Sequence, residues 1–228
     1  MWDLSKIQMQ KLLLNEKLGA ISYEIKEQGV SAYTLILAHG AGAGMHHPFM
    51  QDLAERISGM DGRVILFNLP YMEQGRSSPG SPKPNIETIG QLVDFAMANF
   101  PDEPVLLSGK SYGGRMSSHW VAEHPDSKVA GLVYFGFPLH APGRDSKDRA
   151  AHIYDIPIPQ LFIQGTNDKL ANFGMINEVA AAAQHAKLHE IPHGDHSFKV
   201  PKRISNMSAA DVMDNIATAA NSWITENV

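Results

Sequence analysis

The residues most suited to chemistry are Gly109-Lys110-Ser111-Tyr112-Gly113-Gly114, which follow the apolar run Val105 to Leu107 and precede a helix-like segment. The spacing G-x-S-x-G between a strand and a helix describes a sharp turn that lifts a serine hydroxyl clear of its surroundings. Glycines two before and two after the serine let neighbouring backbone approach where a Cβ would clash. The helix that follows favours developing negative charge at its N-terminus. The other reading is a glycine-rich connector whose serine caps that helix, and five common residues in a row recur by chance. The rest of the chain has to decide.

A serine hydroxyl is a poor nucleophile until a base takes its proton, and the base needs an acid to orient it. In sheets of alternating strands and helices these partners follow in the order serine, acid, histidine. After the strand-like run Gln160 to Gln164 comes Gly165-Thr166-Asn167-Asp168, and after Ala186 to Ile191 comes His193-Gly194-Asp195-His196. We expect Asp168 as the acid and His196 as the base. His193 competes for the base and Asp195 for the acid, being in the same loop. His196 is preferred because it stands three residues further from the strand end and reaches further towards the centre of a site.

The remaining requirement is a set of donors for a tetrahedral oxyanion. His39-Gly40-Ala41-Gly42-Ala43-Gly44 follows the run Tyr33 to Ala38 and offers backbone N–H groups without bulky side chains. The expected donors are the N–H groups of Ala41 and Tyr112, with Gly42 as the alternative to Ala41. The same glycines do not give G-x-G-x-x-G, so no dinucleotide cofactor is expected. His185, His189 and His193 are spaced by four, which gathers ligands on a helix, but the local run reads as a strand, so no metal is expected. His46 and His47 read as loop surface.

Positioning these residues requires strands that end beside one another. Short β-branched or aromatic runs at Ala20 to Ile25, Tyr33 to Ala38, Val64 to Phe67, Val105 to Ser108, Val129 to Phe135, Gln160 to Gln164 and Ala186 to Ile191 predict strands. Helix-length segments at Pro48 to Ser58, Ile86 to Asn99, Gly114 to Glu123, Met175 to Gln184 and Ala209 to Thr225 alternate with most of them. Continuous apolar strands point to a mostly parallel, doubly wound α/β sheet covered on both faces. No convincing helix separates the runs before Tyr33, so an antiparallel N-terminal edge is expected. Pro70 to Asn85 reads as a long loop. Gly136 to Pro159 is too short for a large cap domain.

With 228 residues, 43% hydrophobic and 19% charged, one globular domain is expected over residues 1–228. A formal charge of −5 and the lack of a Lys/Arg run argue against nucleic acid. There is no cysteine, hence no disulfide and no thiolate site. Charged residues interrupt the apolar N-terminal segment, and no run approaches a membrane span. The expectation is a cytoplasmic protein with no cofactor, acting on a small molecule.

Taken together, several segments resemble small lid-less α/β-hydrolases of the dienelactone-hydrolase-like kind, in particular the group related to testis-expressed protein thirty and the third subunit of the NSL chromatin complex. They are His39-Gly40-Ala41-Gly42, Phe67-Asn68-Leu69-Pro70-Tyr71-Met72, Gly109 to Arg115, Phe137 to Gly143, Gln164 to Asp168 and Gly194 to Phe198, spread over about residues 30 to 200. Dienelactone hydrolases themselves carry a Cys where this chain has Ser111. The resemblance implies an α/β-hydrolase fold and a cleft lined by Pro70 to Arg76 and Phe137 to Gly143, with Gly42, Tyr71, Met72 and His140 as substrate contacts; packing within the loops is the other reading of Tyr71, Met72 and His140. The expected reaction is hydrolysis of a small carboxylic ester or thioester through an acyl-enzyme on Ser111. The chromatin-complex relatives imply the alternative, a hydrolase-fold interaction module without significant catalysis.

Overall fold

The computed structural model describes residues 10–16 and 18–228. Nine N-terminal residues, including most of the segment read above against an export signal, lie outside the described residues. Strands β1 (Gln10–Asn15), β2 (Gly19–Lys26), β3 (Tyr33–Ala38), β4 (Gly62–Phe67), β5 (Val105–Lys110), β6 (Gly131–Phe135), β7 (Gln160–Gly165) and β8 (Ala186–Ile191) form one sheet in the order β1-β2-β4-β3-β5-β6-β7-β8. β3 to β8 run parallel, while β1 and β2 pair antiparallel with each other and β2 pairs antiparallel with β4. The doubly wound sheet and its antiparallel edge are as expected, and so is the lack of a cap domain among the described residues.

Strand alternation builds the two halves of the core. Leu35 and Leu37 of β3 and Val64 and Leu66 of β4 face one layer, where α1 (Pro48–Ser58) and α6 (Ala209–Asn227) supply Leu53, Ile57, Ile216 and Trp223. Ile36, Ala38, Ile65 and Phe67 face the other, packed by α3 (Pro82–Asn99), α4 (Tyr112–Glu123) and α5 (Phe173–Ala182). Burial on both faces explains why these strands read as continuous apolar runs.

Three segments differ from the expectation. β1 is a strand that the apolar runs did not predict. Pro70 to Asn85 is not one long loop: it holds the short helix α2 (Pro70–Glu73) and the first turn of α3, each opening with a proline at its first helical position. Proline there loses no hydrogen bond and arrives with its φ already set, so it starts helices as readily as it interrupts them. Gly136 to Pro159 contains a 3₁₀ segment, Asp148–Asp155, laid against α4. The chain reverses direction across the sheet between β3 and β5, since β4 lies on one side of β3 and β5 on the other. A crevice forms at such a switch point, outside the strand C-termini.

Candidate active site

Ser111 stands at that crevice, between the end of β5 and the start of α4, with φ 51° and ψ −113°. A side chain rarely adopts this conformation, and the packing around the turn enforces it. A Cβ on Gly109 would lie 2.3 Å from the Gly114 nitrogen, and one on Gly113 would lie 2.4 Å from the Ala38 carbonyl. The elbow is therefore pressed against its own helix and against the end of β3. The Ser111 N–H donates to the Phe135 carbonyl at the end of β6, at 3.1 Å.

Asp168 follows β7 and His196 follows β8. The structure brings them together with Ser111 in one hydrogen-bonded chain. His196 Nε2 is 2.8 Å from Ser111 Oγ, and His196 Nδ1 is 2.7 Å from Asp168 Oδ2. A carboxylate can only accept, so the Nδ1–H donates to Asp168 and leaves Nε2 to accept from the serine hydroxyl. The Asp168 side chain is fully buried, and His196 is partly open. Asp168 also accepts from Gln164 Nε2 at 2.6 Å and from the Leu170 N–H at 2.7 Å. Gln164 in turn takes the Phe137 N–H on its Oε1 at 2.9 Å. At Gly165 a Cβ would come within 2.2 Å of the Gly194 carbonyl, so the acid loop and the histidine loop touch backbone to backbone.

The competing residues lie elsewhere. His193 is exposed, with φ 59°, and its N–H donates to Thr166 Oγ1 at 2.8 Å. Asp195 Oδ1 accepts from the N–H groups of Ser197 and Lys199 at 2.8 and 2.9 Å, pinning the turn that carries His196. Lys110, unremarked in the sequence, reaches under the same turn. Its Nζ donates to the His196 carbonyl at 2.5 Å and lies 5.1 Å from the Phe198 ring centroid and 5.8 Å from that of Phe49. Burial lowers its pKa to about 8, against the opposing charges of Asp168 and Asp195.

Ala41 and Gly42 are exposed on the loop after β3, with Gly42 at φ 74°. Tyr112 is the first residue of α4, so its N–H has no intrahelical acceptor. Among the described residues, neither the Ala41 nor the Tyr112 N–H finds a protein partner. His39 holds the loop from within: Nδ1 donates to the Gly40 carbonyl at 2.8 Å and Nε2 accepts from the Leu69 N–H at 3.0 Å. Burial keeps it neutral, with a pKa of about 4 against the pull of the Gly40 carbonyl.

The remaining candidates support this loop or its neighbour. Tyr71 is buried with its ring edge-on to His39, and its hydroxyl is closed off beside the Gly42 backbone. Met72 is half-buried and packs near Gly44. His140 is buried with both ring nitrogens engaged: Nδ1 at 2.9 Å from the Ala141 carbonyl, and Nε2 accepting from the Asn172 N–H at 2.7 Å. Beside Tyr71 a cavity of about 240 Å³ runs past Arg76 to Asn85, whose Nδ2 donates to the Tyr112 hydroxyl at 2.9 Å.

Among the described residues, no three His, Asp or Glu side chains are placed to hold a metal ion, and no helix is long and apolar enough to cross a membrane. The fold recurs in solved structures of low sequence identity. A Xanthomonas campestris protein described as an a/b serine hydrolase without lid is 18% identical, with a TM-score of 0.72 and 97% of each chain covered. Dienelactone hydrolase from Anabaena variabilis is 16% identical at a TM-score of 0.74, over 97% of this chain and 98% of that one. Est1E from Butyrivibrio proteoclasticus, solved with ferulic acid bound, is 13% identical at 0.70, over 91% and 95%. Residues 31–225 match the alpha/beta hydrolase domain as a family, and the chain belongs to that family.

Proposed function

We propose that this protein is a serine hydrolase that cleaves a small carboxylic ester or thioester through an acyl-enzyme on Ser111. The observation that carries the reading is the continuous chain from Ser111 Oγ through His196 to a buried Asp168, set on a strained turn at the strand C-termini. His196 Nε2 takes the hydroxyl proton as Oγ bonds to the carbonyl carbon, and Asp168 stabilises the imidazolium. The N–H groups of Ala41 and Tyr112 receive the oxyanion, each such donor contributing about 3 kcal/mol. Collapse breaks the bond to the alcohol or thiol, which takes the proton back from His196. Water, deprotonated by the same nitrogen, then attacks the acyl carbon, releasing the acid and restoring Ser111.

The cavity beside Tyr71 and Asn85 is the proposed seat for one arm of the substrate, next to Tyr112. Tyr71, Met72 and His140 act in this reading as the walls and braces of the cleft, because their polar atoms are already covered or bonded. Within the family we place the chain in the lid-less group related to testis-expressed protein thirty and the third NSL subunit, on the segments they share. Turnover of 4-nitrophenyl acetate and butyrate tests the proposal. Ser111→Ala should lose on the order of a thousandfold or more in kcat/KM, and a fluorophosphonate probe should label the unaltered protein at Ser111. Equal rates in the two proteins would overturn the proposal, and a folded protein that the probe does not label at Ser111 would instead mark a hydrolase-fold interaction module.

A further inference from the structure

Arg115 lies one helical turn beyond Ser111 on α4, about 6 Å along the axis, and its N–H donates to the Ser111 carbonyl at 3.2 Å. Opposite it runs the 3₁₀ segment Asp148–Asp155. The two elements meet in register. His119 of α4 stacks on His152 with ring centroids 3.8 Å apart, and Ser118 Oγ is 2.8 Å from His152 Nε2. One turn towards the site from His119 is Arg115, and one turn back from His152 is Arg149, since residues three apart eclipse in a 3₁₀ helix. Arg149 thus comes within charge range of Arg115 beside the stacked imidazoles.

Among the described residues this pair has no counter-charge. Arg56 holds Asp52 and Asp214, and Arg63 holds Glu27 and Glu103, whereas neither Arg115 nor Arg149 has a carboxylate partner among the described residues. Arg149 makes one long hydrogen bond, 3.5 Å to the Pro138 carbonyl on the loop after β6. Arg115 Nε is closed off from solvent with no acceptor among the described residues, and its guanidinium carbon lies 5.8 Å from the Tyr112 ring centroid. Burial, then the Arg149 charge, lower the Arg115 pKa, with Tyr112 acting the other way. Burial and Arg115 also hold His119 down, and burial, His119 and Arg115 hold His152 at about 4, so the neighbours beneath are neutral rings. Glu123 is the acid within range of His119. Two like charges half-withdrawn from water, with an unpaired donor, are unfavourable in themselves. An oxyanion held between two planar guanidinium forks would offset the like charges.

We infer that Arg115 and Arg149 form a carboxylate-recognition subsite, so that the substrate is an ester or thioester carrying a free carboxylate several bonds from the scissile carbonyl. This rests on the proposed hydrolase reading and names its substrate class. The carboxylate can belong to the acyl part or to the leaving group, and matched esters separate the two. In the first arm 4-nitrophenyl hydrogen adipate is compared with 4-nitrophenyl hexanoate. In the second, 3-carboxyphenyl hexanoate is compared with phenyl hexanoate. The expected result is at least a tenfold higher kcat/KM for the carboxylated ester in one arm. That ratio should fall to about one in Arg149→Met and be partly kept in Arg149→Lys, while Arg115→Met gives the same loss if it folds. Ratios at or below one in both arms, or an undiminished ratio in Arg149→Met, overturn the subsite. If hexanoate is turned over in a Ser111-dependent way without any preference, only the subsite fails; if no ester is cleaved and the fluorophosphonate does not label, both readings fail.

Discussion

Lys110 precedes Ser111 yet points away from it, beneath the turn that carries the proposed base. Its ammonium donates to the His196 carbonyl and lies against the Phe49 and Phe198 rings, so its charge ties the end of β5 to the histidine loop. The charged groups facing it are Asp168 and Asp195, which oppose the effect of burial but leave its pKa at about 8. Protonated below that value, it holds the loop by a charge-assisted bond; as pH rises through about 8 that bond and the cation–π contacts weaken. Ester turnover is therefore expected to fall above about pH 8. Lys110→Met should lower kcat between about ten and a hundredfold, the scale of a misplaced catalytic group, and abolish the limb near pH 8. Lys110→Arg should keep most of the rate and move the limb above pH 10. A pH–rate profile for each protein checks this. Ser111, Asp168 and His196 were legible because motif, chain order and loop position converge on them. Lys110 was not, because its partner lies 86 residues away, and the role of Gln164 was not, because it joins the nearby Asp168 to a backbone N–H 27 residues back, a contact that nothing local marks.

Among the elements, α2 does the least expected work. Glu73 at its end accepts from the Ser22 N–H of β2 at 2.8 Å, from Asn68 Nδ2 at 3.0 Å and from Lys11 of β1 at 2.7 Å. Asn68 Oδ1 in turn takes the Met45 N–H at 2.9 Å, so the antiparallel edge, α2 and the loop after β3 share one polar network. Burial alone would raise the Glu73 pKa; these hydrogen bonds overcome it and bring the value down to about 2. A carboxylate with a folded pKa below its unfolded one adds stability that is fully present above about pH 5 and lost as pH falls towards 2. Glu73→Gln should lower stability by about 1 to 2 kcal/mol at neutral pH and flatten the acid side of the stability curve between pH 5 and 2. Thermal unfolding across that range measures both effects. The sequence hid this helix because Pro70 and Pro82 read as breakers, although each sits where a helix begins. It showed the long strands and helices well because burial of β3 to β6 on both faces leaves a plain apolar signature, whereas β1, exposed along most of its length, leaves none.

For the whole molecule, the sheet supplies the rigidity that lets one residue remain strained. The crevice between β3 and β5, the backbone contact of Gly165 with Gly194 and the crowded glycines of the elbow fix Ser111 in place from several directions. A non-glycine residue held in such a conformation costs about 1 to 3 kcal/mol, and the fold as a whole must supply that energy. Relief of the strain can be separated from loss of the hydroxyl by comparing two variants. Ser111→Ala removes the oxygen and keeps the Cβ at φ 51°, whereas Ser111→Gly removes both. Glycine also makes the unfolded chain more flexible, which offsets about 0.4 to 1 kcal/mol of the gain. The net expectation is that Ser111→Gly is more stable than Ser111→Ala by about 1 kcal/mol, a difference of about 2 to 4 °C in Tm for a chain of this size, with both variants equally inactive towards esters. Parallel thermal unfolding of the two proteins is the measurement. A lower Tm for the glycine variant would mean that the elbow is comfortable where it stands, and that the surrounding packing, rather than imposing the turn, simply accommodates it.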